Sequence, residues 1–191
     1  MSDTRRAWLW KMLLEVVLIG VAVFLGMAAD QWRSDRQHQQ QARAALQSFR
    51  KEIQDNKAAV EKVRDYHVRM RQDIIAYLDP KTRAKSNLAM QGILPATFEQ
   101  TAWDVALATQ ALADIDKPIA FELTGIYSAQ RTYNDLSKGL TQAMYLRPPG
   151  ENLDAFLQSV KVYYDDIVIH EPDLLARYNR ILPMIDSALR D

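Results

Sequence analysis

Asp166 and His170 stand one helical turn apart and Glu171 follows directly, a trio of side chains that could hold a metal ion or move a proton. A carboxylate and an imidazole four residues apart project from the same side of a helix, as a metal site requires. The Glu-x-x-His pairs that di-iron bundles take from two helices are absent, so the trio reads as a charge cluster at a helix C-terminus. Of the other histidines, His38 lies in a polar run and His67 on an apolar seam, where a hydrogen-bonded core role is expected ahead of ligation. There is no GxGxxG, no P-loop, no HExxH and no GxSxG, which removes the commonest local signatures of nucleotide binding, zinc proteolysis and serine hydrolysis. The chain has no cysteine, which excludes disulfides, thiolate zinc, thiol catalysis and iron–sulfur clusters. Trp103, Tyr127 and Tyr133 could line a ligand pocket between helices, while Tyr163, Tyr164 and Tyr178 read as core and rim aromatics. No catalytic, cofactor-binding or metal-binding residue is assigned, no cofactor is expected, and the chain is not expected to be an enzyme.

These residues must be positioned by helices. The 191 residues include only six Gly and seven Pro, too few punctuators for a turn-rich β protein, and 48% hydrophobic with 25% charged is ordinary globular composition. Basic and acidic residues balance at 24 each, so composition gives no case for a nucleic-acid partner.

Residues 12 to 29, MLLEVVLIGVAVFLGMAA, are apolar except for Glu15 and read as a membrane span. From Trp10 to Trp32 is 22 residues, or ~33 Å at the helical rise, against a hydrocarbon core of ~30 Å. Trp8, Trp10 and Trp32 mark its two ends as interfacial anchors, and Lys11 reaches the near interface, where it can pair with Glu15. Arg5 and Arg6 before an apolar run also suit a cleavable signal or a twin-arginine leader. The run's length, Glu15 and the helix-compatible continuation through Trp32 favour an uncleaved anchor. Positive charges nearly tie across the span, with Arg5, Arg6 and Lys11 before it and Arg33, Arg36 and Arg43 after it. A long following domain crosses largely regardless of charge, so the main domain is expected outside the cytoplasm.

The expected organisation is a flank at 1–11, a transmembrane helix at 12–32, a polar stalk at 33–41 and a helical bundle at 42–191. The bundle opens on a seam with strict 4-3 spacing: Ala42, Leu46, Phe49, Ile53, Asn56, Val60, Val63, His67, Met70, Ile74 and Tyr77. It needs a partner surface ~50 Å long, either the chain's own later helices or a second copy. Asn56 could set register there, or be a paired core amide. Residues 79–96 contain Pro80, Gly92 and Pro95 without a period and form the longest expected loop. Thr97 to Gln100 has the pattern of a capping box, predicting a helix from there to about Ile115. A third helix is predicted from Asp116 and Pro118, a fourth capped by Asn152, and a fifth from Pro172 with a kink at Pro183. Residues 31–85 hold 13 basic and 7 acidic side chains, and residues 86–191 hold 8 and 14, so docking of the later helices on the first is electrostatically favoured.

The step Ala29-Asp30-Gln31-Trp32 at the end of an apolar span, Thr101-Ala102-Trp103-Asp104, and the tyrosines of Ile126-Tyr127 to Tyr133 carry a resemblance. With them the chain resembles a family of uncharacterised single-pass bacterial envelope proteins. The resemblance implies a bacterial inner-membrane anchor with a periplasmic helical domain, and it brings no catalytic residues. The expected fold is all-α, an N-terminal transmembrane helix continuous with a four- to five-helix antiparallel bundle. The expected function is that of a single-pass membrane-anchored interaction or scaffold protein, its partners the lipid bilayer and a second copy or another membrane protein. A small-residue face at Ala22 and Gly26 would let two spans approach. The alternatives are a tethered extracytoplasmic ligand-sensing bundle acting through a partner, and a metal-dependent enzyme or metal-binding bundle on Asp166, His170 and Glu171.

Overall fold

The computed structural model describes residues 3–147, 150 and 152–190, with side chains throughout except at 3–7, 9, 11–13 and 16. Helix α1 (Asp3–Leu78) runs unbroken from the apolar segment through the polar run and along the whole seam, 76 residues or about 114 Å. Asp79-Pro80 ends it, because the proline ring disfavours helical backbone in the residue before it. A short 3-10 turn follows at Arg83–Lys85, and the chain then runs without regular secondary structure as far as α2 (Thr101–Ala108). A second 3-10 turn at Ala111–Ala113 leads to α3 (Lys117–Tyr145) and α4 (Leu153–Ala188). The described residues are all-α, with four helices and no strand.

Side-chain pairs fix the topology. Arg50 meets Asp186, His67 meets Glu171 and Arg71 meets Asp165, so α4 runs antiparallel to α1. Glu122 meets Arg180 and Ser137 meets Tyr163, so α3 runs antiparallel to α4. Between them, residues 86–108 descend beside α1, with Gly92 at Tyr66, Glu99 at Asn56 and Ala102 at Glu52. The four legs thus alternate in direction, and the second is mostly non-helical.

Of the seam, Leu46, Phe49, Ile53, Asn56, Val60, His67, Met70 and Ile74 are buried and Val63 is half-buried. Their partner surface is supplied by the chain's own α4 and second leg. From α3 and α4, Leu123, Ile126, Tyr133, Val160, Tyr164, Ile167, Tyr178, Ile181 and Ile185 complete the core. The ion pairs joining α1 and the turn after it to the acidic later legs, Arg50–Asp186, Arg71–Asp165 and Arg83–Asp154, follow the charge asymmetry of the sequence. Being open to solvent and screened by it, these pairs guide the arrangement more than they add stability.

Several expected boundaries move. α2 begins at Thr101 rather than Thr97, because the backbone of Glu99 is held by Asn56 and cannot enter a helix, and Gln100 at its N-cap makes no side-chain cap. It stops at Ala108 rather than Ile115, and Gln110 then takes a left-handed conformation at φ 59°. The expected fifth helix is the continuation of α4, which passes through Pro172 and Pro183 without a break. Both prolines lie on the exposed face, and the opposite face carries an uninterrupted buried stripe from Leu157 to Ile185 whose packing outweighs the local cost. Asn152 does cap α4, its side chain accepting the Asp154 amide at 2.9 Å. The polar run is not a bare stalk: His38 meets Asp114 at 2.9 Å, so the lower end of the bundle reaches into it.

Among the described residues, no helix is long and apolar enough to cross a membrane. The apolar run of the sequence includes Met12, Leu13 and Val16, whose side chains lie outside the described set, as does that of Lys11. Of what is described, Leu14, Val17, Leu18, Ile19, Val21, Val23, Phe24, Leu25 and Met27 are each between 50 and 70% exposed. At 100° per residue they cover the whole circumference of the helix. Trp8, Trp10 and Trp32 are exposed as well, and Arg36 stacks on the Trp32 ring at 3.9 Å.

Candidate functional site

Polar side chains buried in the bundle converge on the extended part of the second leg. Glu52, Asn56, Tyr66 and His67 fall within about 100° of one another around α1, so one helix face carries them all. Across residues 87–99, among the described residues, no backbone group bonds to another backbone group. Buried backbone polar groups need partners, and here side chains supply them. The Tyr66 hydroxyl donates to Gly92 O at 2.5 Å and accepts from Gln91 N at 3.2 Å, and Tyr164 also donates to Gly92 O at 3.1 Å. Asn56 grips the Glu99 peptide from both sides, Nδ2 donating to its carbonyl at 2.9 Å and Oδ1 accepting its amide at 2.8 Å. Glu52 accepts the Ala102 amide at 2.7 Å through one oxygen and the Tyr127 hydroxyl at 2.5 Å through the other.

The centre of this network is a closed ring. His67 Nε2 lies 3.0 Å from both Ile93 O and Leu94 O, acceptors only, so it carries a proton and donates. Tyr133 accepts the Ala96 amide at 3.0 Å, which directs its own hydrogen to Glu171 Oε1 at 3.2 Å. His67 Nδ1 and Glu171 Oε1 lie 2.6 Å apart and share a hydrogen bond that closes the ring. His67 and Glu171 are both fully buried, a setting in which a charge is tolerated only with a partner. Among the described residues, the Oε2 atom of Glu171 and the Oε1 atom of Gln130 are buried without a hydrogen-bond partner.

Five tyrosines pack in or beside this network. Burial is the main cause that raises the hydroxyls of Tyr127, Tyr133, Tyr164 and Tyr178 well above the ordinary tyrosine range, and it pushes Tyr163 up to about 12. The nearby carboxylates add to it, Glu52 at Tyr127 and Glu171 at Tyr133 and Tyr163. Trp103 stacks on Tyr127 at 4.8 Å and Phe98 meets Tyr133 edge-on at 5.2 Å, so the aromatics expected to line a ligand pocket instead pack against one another.

The trio Asp166, His170 and Glu171 is not at a helix end, since α4 continues to Ala188. Glu171 is buried against His67, while Asp166 and His170 are half-exposed. Among the described residues, no group of three or more His, Cys, Asp or Glu is placed to hold a metal.

No family model, curated protein or solved structure matches this chain. The likeness to envelope proteins therefore stands on the motifs at 29–32, 101–104 and 126–133 alone. Glu52 and the pairing of Glu171 with His67 are what sequence reasoning missed. The available signal was the placing of Glu52, Asn56 and His67 on one face of a helix otherwise destined for the core, ahead of a long aperiodic stretch with backbone groups to satisfy.

Proposed function

We propose that this protein is a single-pass membrane-anchored helical interaction module, with the first part of α1 in the bilayer and the bundle held above the surface. The exposed apolar circumference of α1 from Leu14 to Met27 carries the reading. Nine large apolar side chains at that exposure represent on the order of 10 kcal/mol available on withdrawal from water. A groove that meets one side of the rod would leave the rest wet, whereas lipid covers every side at once. Arg33 and Arg36 follow at headgroup height, each contributing roughly 1 kcal/mol beside anionic lipid.

The bacterial inner membrane and a periplasmic bundle are the setting implied by the resemblance and by the length of the following domain. A helical bundle continuous with a rigid tether suits a scaffold for a second copy or another membrane protein. Alkaline carbonate washing of membranes is the test: the full chain is expected to stay in the pellet and a chain starting at residue 34 to be released. Release of the full chain by carbonate would overturn the anchor. A reporter fused at the C-terminus and active only in the cytoplasm would overturn the orientation.

A further inference from the structure

The side chains that hold residues 91–100 address its main chain almost exclusively. Tyr66, Tyr164, His67, Tyr133 and Asn56 bond to the backbone of Gln91, Gly92, Ile93, Leu94, Ala96 and Glu99, and to no side chain of that stretch. This is how a groove binds an extended peptide whatever its sequence, by main-chain bonds. Apolar burial is shallower here than in the helices: Leu88, Met90, Ile93 and Phe98 rest half-buried on the core and only Ala96 of the stretch is buried, whereas α1, α3 and α4 contribute the large fully buried residues. The stretch is strained at Leu94, a leucine at φ 39°, while Gly92 takes φ 103°, a conformation open to glycine and disfavoured for any residue with a side chain. Beneath it the floor is polar, so water can replace the lost bonds if the segment lifts.

From this juxtaposition of a main-chain-reading floor, an occupant with a left-handed leucine and a core whose large fully buried residues come from α1, α3 and α4, we propose that residues 86–100 are a displaceable strap. They fill a groove between α1, α3 and α4 that accepts an extended polypeptide segment of a partner, and they open as a unit while the three long helices stay packed. The strap competes as part of the same chain, at an effective concentration in the millimolar range, and so keeps the groove shut until a partner segment is held nearby. The inference is independent of the membrane anchor, because it concerns the bundle alone.

Gly92→Ala separates the strap from the core. A Cβ at Gly92 meets nothing within 4 Å, so the substitution acts only through the backbone strain of the closed strap. Hydrogen exchange on the full chain in detergent is expected to speed up by about tenfold for amides of residues 91–100 in this variant. Amides of 119–133 and 157–178 are expected to be unchanged. Tyr66→Phe, which removes two strap bonds without altering the floor's shape, is expected to reproduce the pattern. A synthetic peptide of residues 88–100 added in trans should bind Gly92→Ala at least tenfold more tightly than the unsubstituted chain. Equal acceleration in all helices in both variants would overturn the separable strap. Failure of the peptide to bind either chain would overturn the groove.

Discussion

Several buried side chains in this molecule satisfy the backbone of a non-helical segment. His67 illustrates the point: its ring joins Glu171 to two carbonyls of an extended segment, and the imidazole does the bridging that a helical hydrogen-bond ladder would have done. The buried tyrosines give the residue scale its pH prediction. Their folded-state hydroxyls are raised above the ordinary value of 10, so they contribute stability that is fully present below pH 10 and is lost as pH rises toward the folded values. Alkaline titration followed by tyrosinate absorbance is expected to show these five ionising together with the loss of helical circular dichroism, above pH 10. Full ionisation of all the tyrosines near pH 10 with helix content intact would show that the buried network is open to solvent. At this scale the sequence was legible in type and not in partner: His67 reads as a hydrogen-bonded core residue from its seam position, but nothing local pairs it with Glu171, 104 positions away. Asn56 reads as a seam amide, and only the descending second leg explains what it grips.

Among the elements, periodicity foretells the long helices and punctuation misleads about their ends. The 4-3 spacing from Ala42 to Tyr77 lies within one helix, and Pro118 and Asn152 stand at helix starts, because these signals are local and strong. Pro172 reads as a start as well, yet α4 runs through it, since a buried stripe on the opposite face outweighs one lost hydrogen bond. The capping pattern at Thr97 fails for the reverse reason: a tertiary grip on Glu99 overrides a local preference. Pro183 is exposed and interior to α4, so Pro183→Ala restores a backbone donor where none is present. Chemical denaturation is expected to give a stability gain of about 1 to 3 kcal/mol. A loss instead would mean that the proline-shaped backbone is what lets α4 follow the core.

For the whole molecule the decisive contrast is between the two parts of one continuous helix. From Leu46 to Ile74 the apolar side chains of α1 turn to one side and are covered by the chain's own legs, whereas from Leu14 to Met27 the described ones face every direction and no described residue buries them. That contrast was legible in the sequence, because a period of 3.5 and an apolar run interrupted only by Glu15 are different patterns. What covers the rod is a question of surroundings, and the absence of native cysteines allows it to be put directly. Single substitutions Leu18→Cys, Leu25→Cys and Gln40→Cys in the full chain, reconstituted in lipid vesicles and treated with a membrane-impermeant maleimide, report depth along α1. Membrane anchorage predicts that Gln40→Cys is labelled and that Leu18→Cys and Leu25→Cys are protected until detergent is added. Equal labelling of all three in intact vesicles would contradict it.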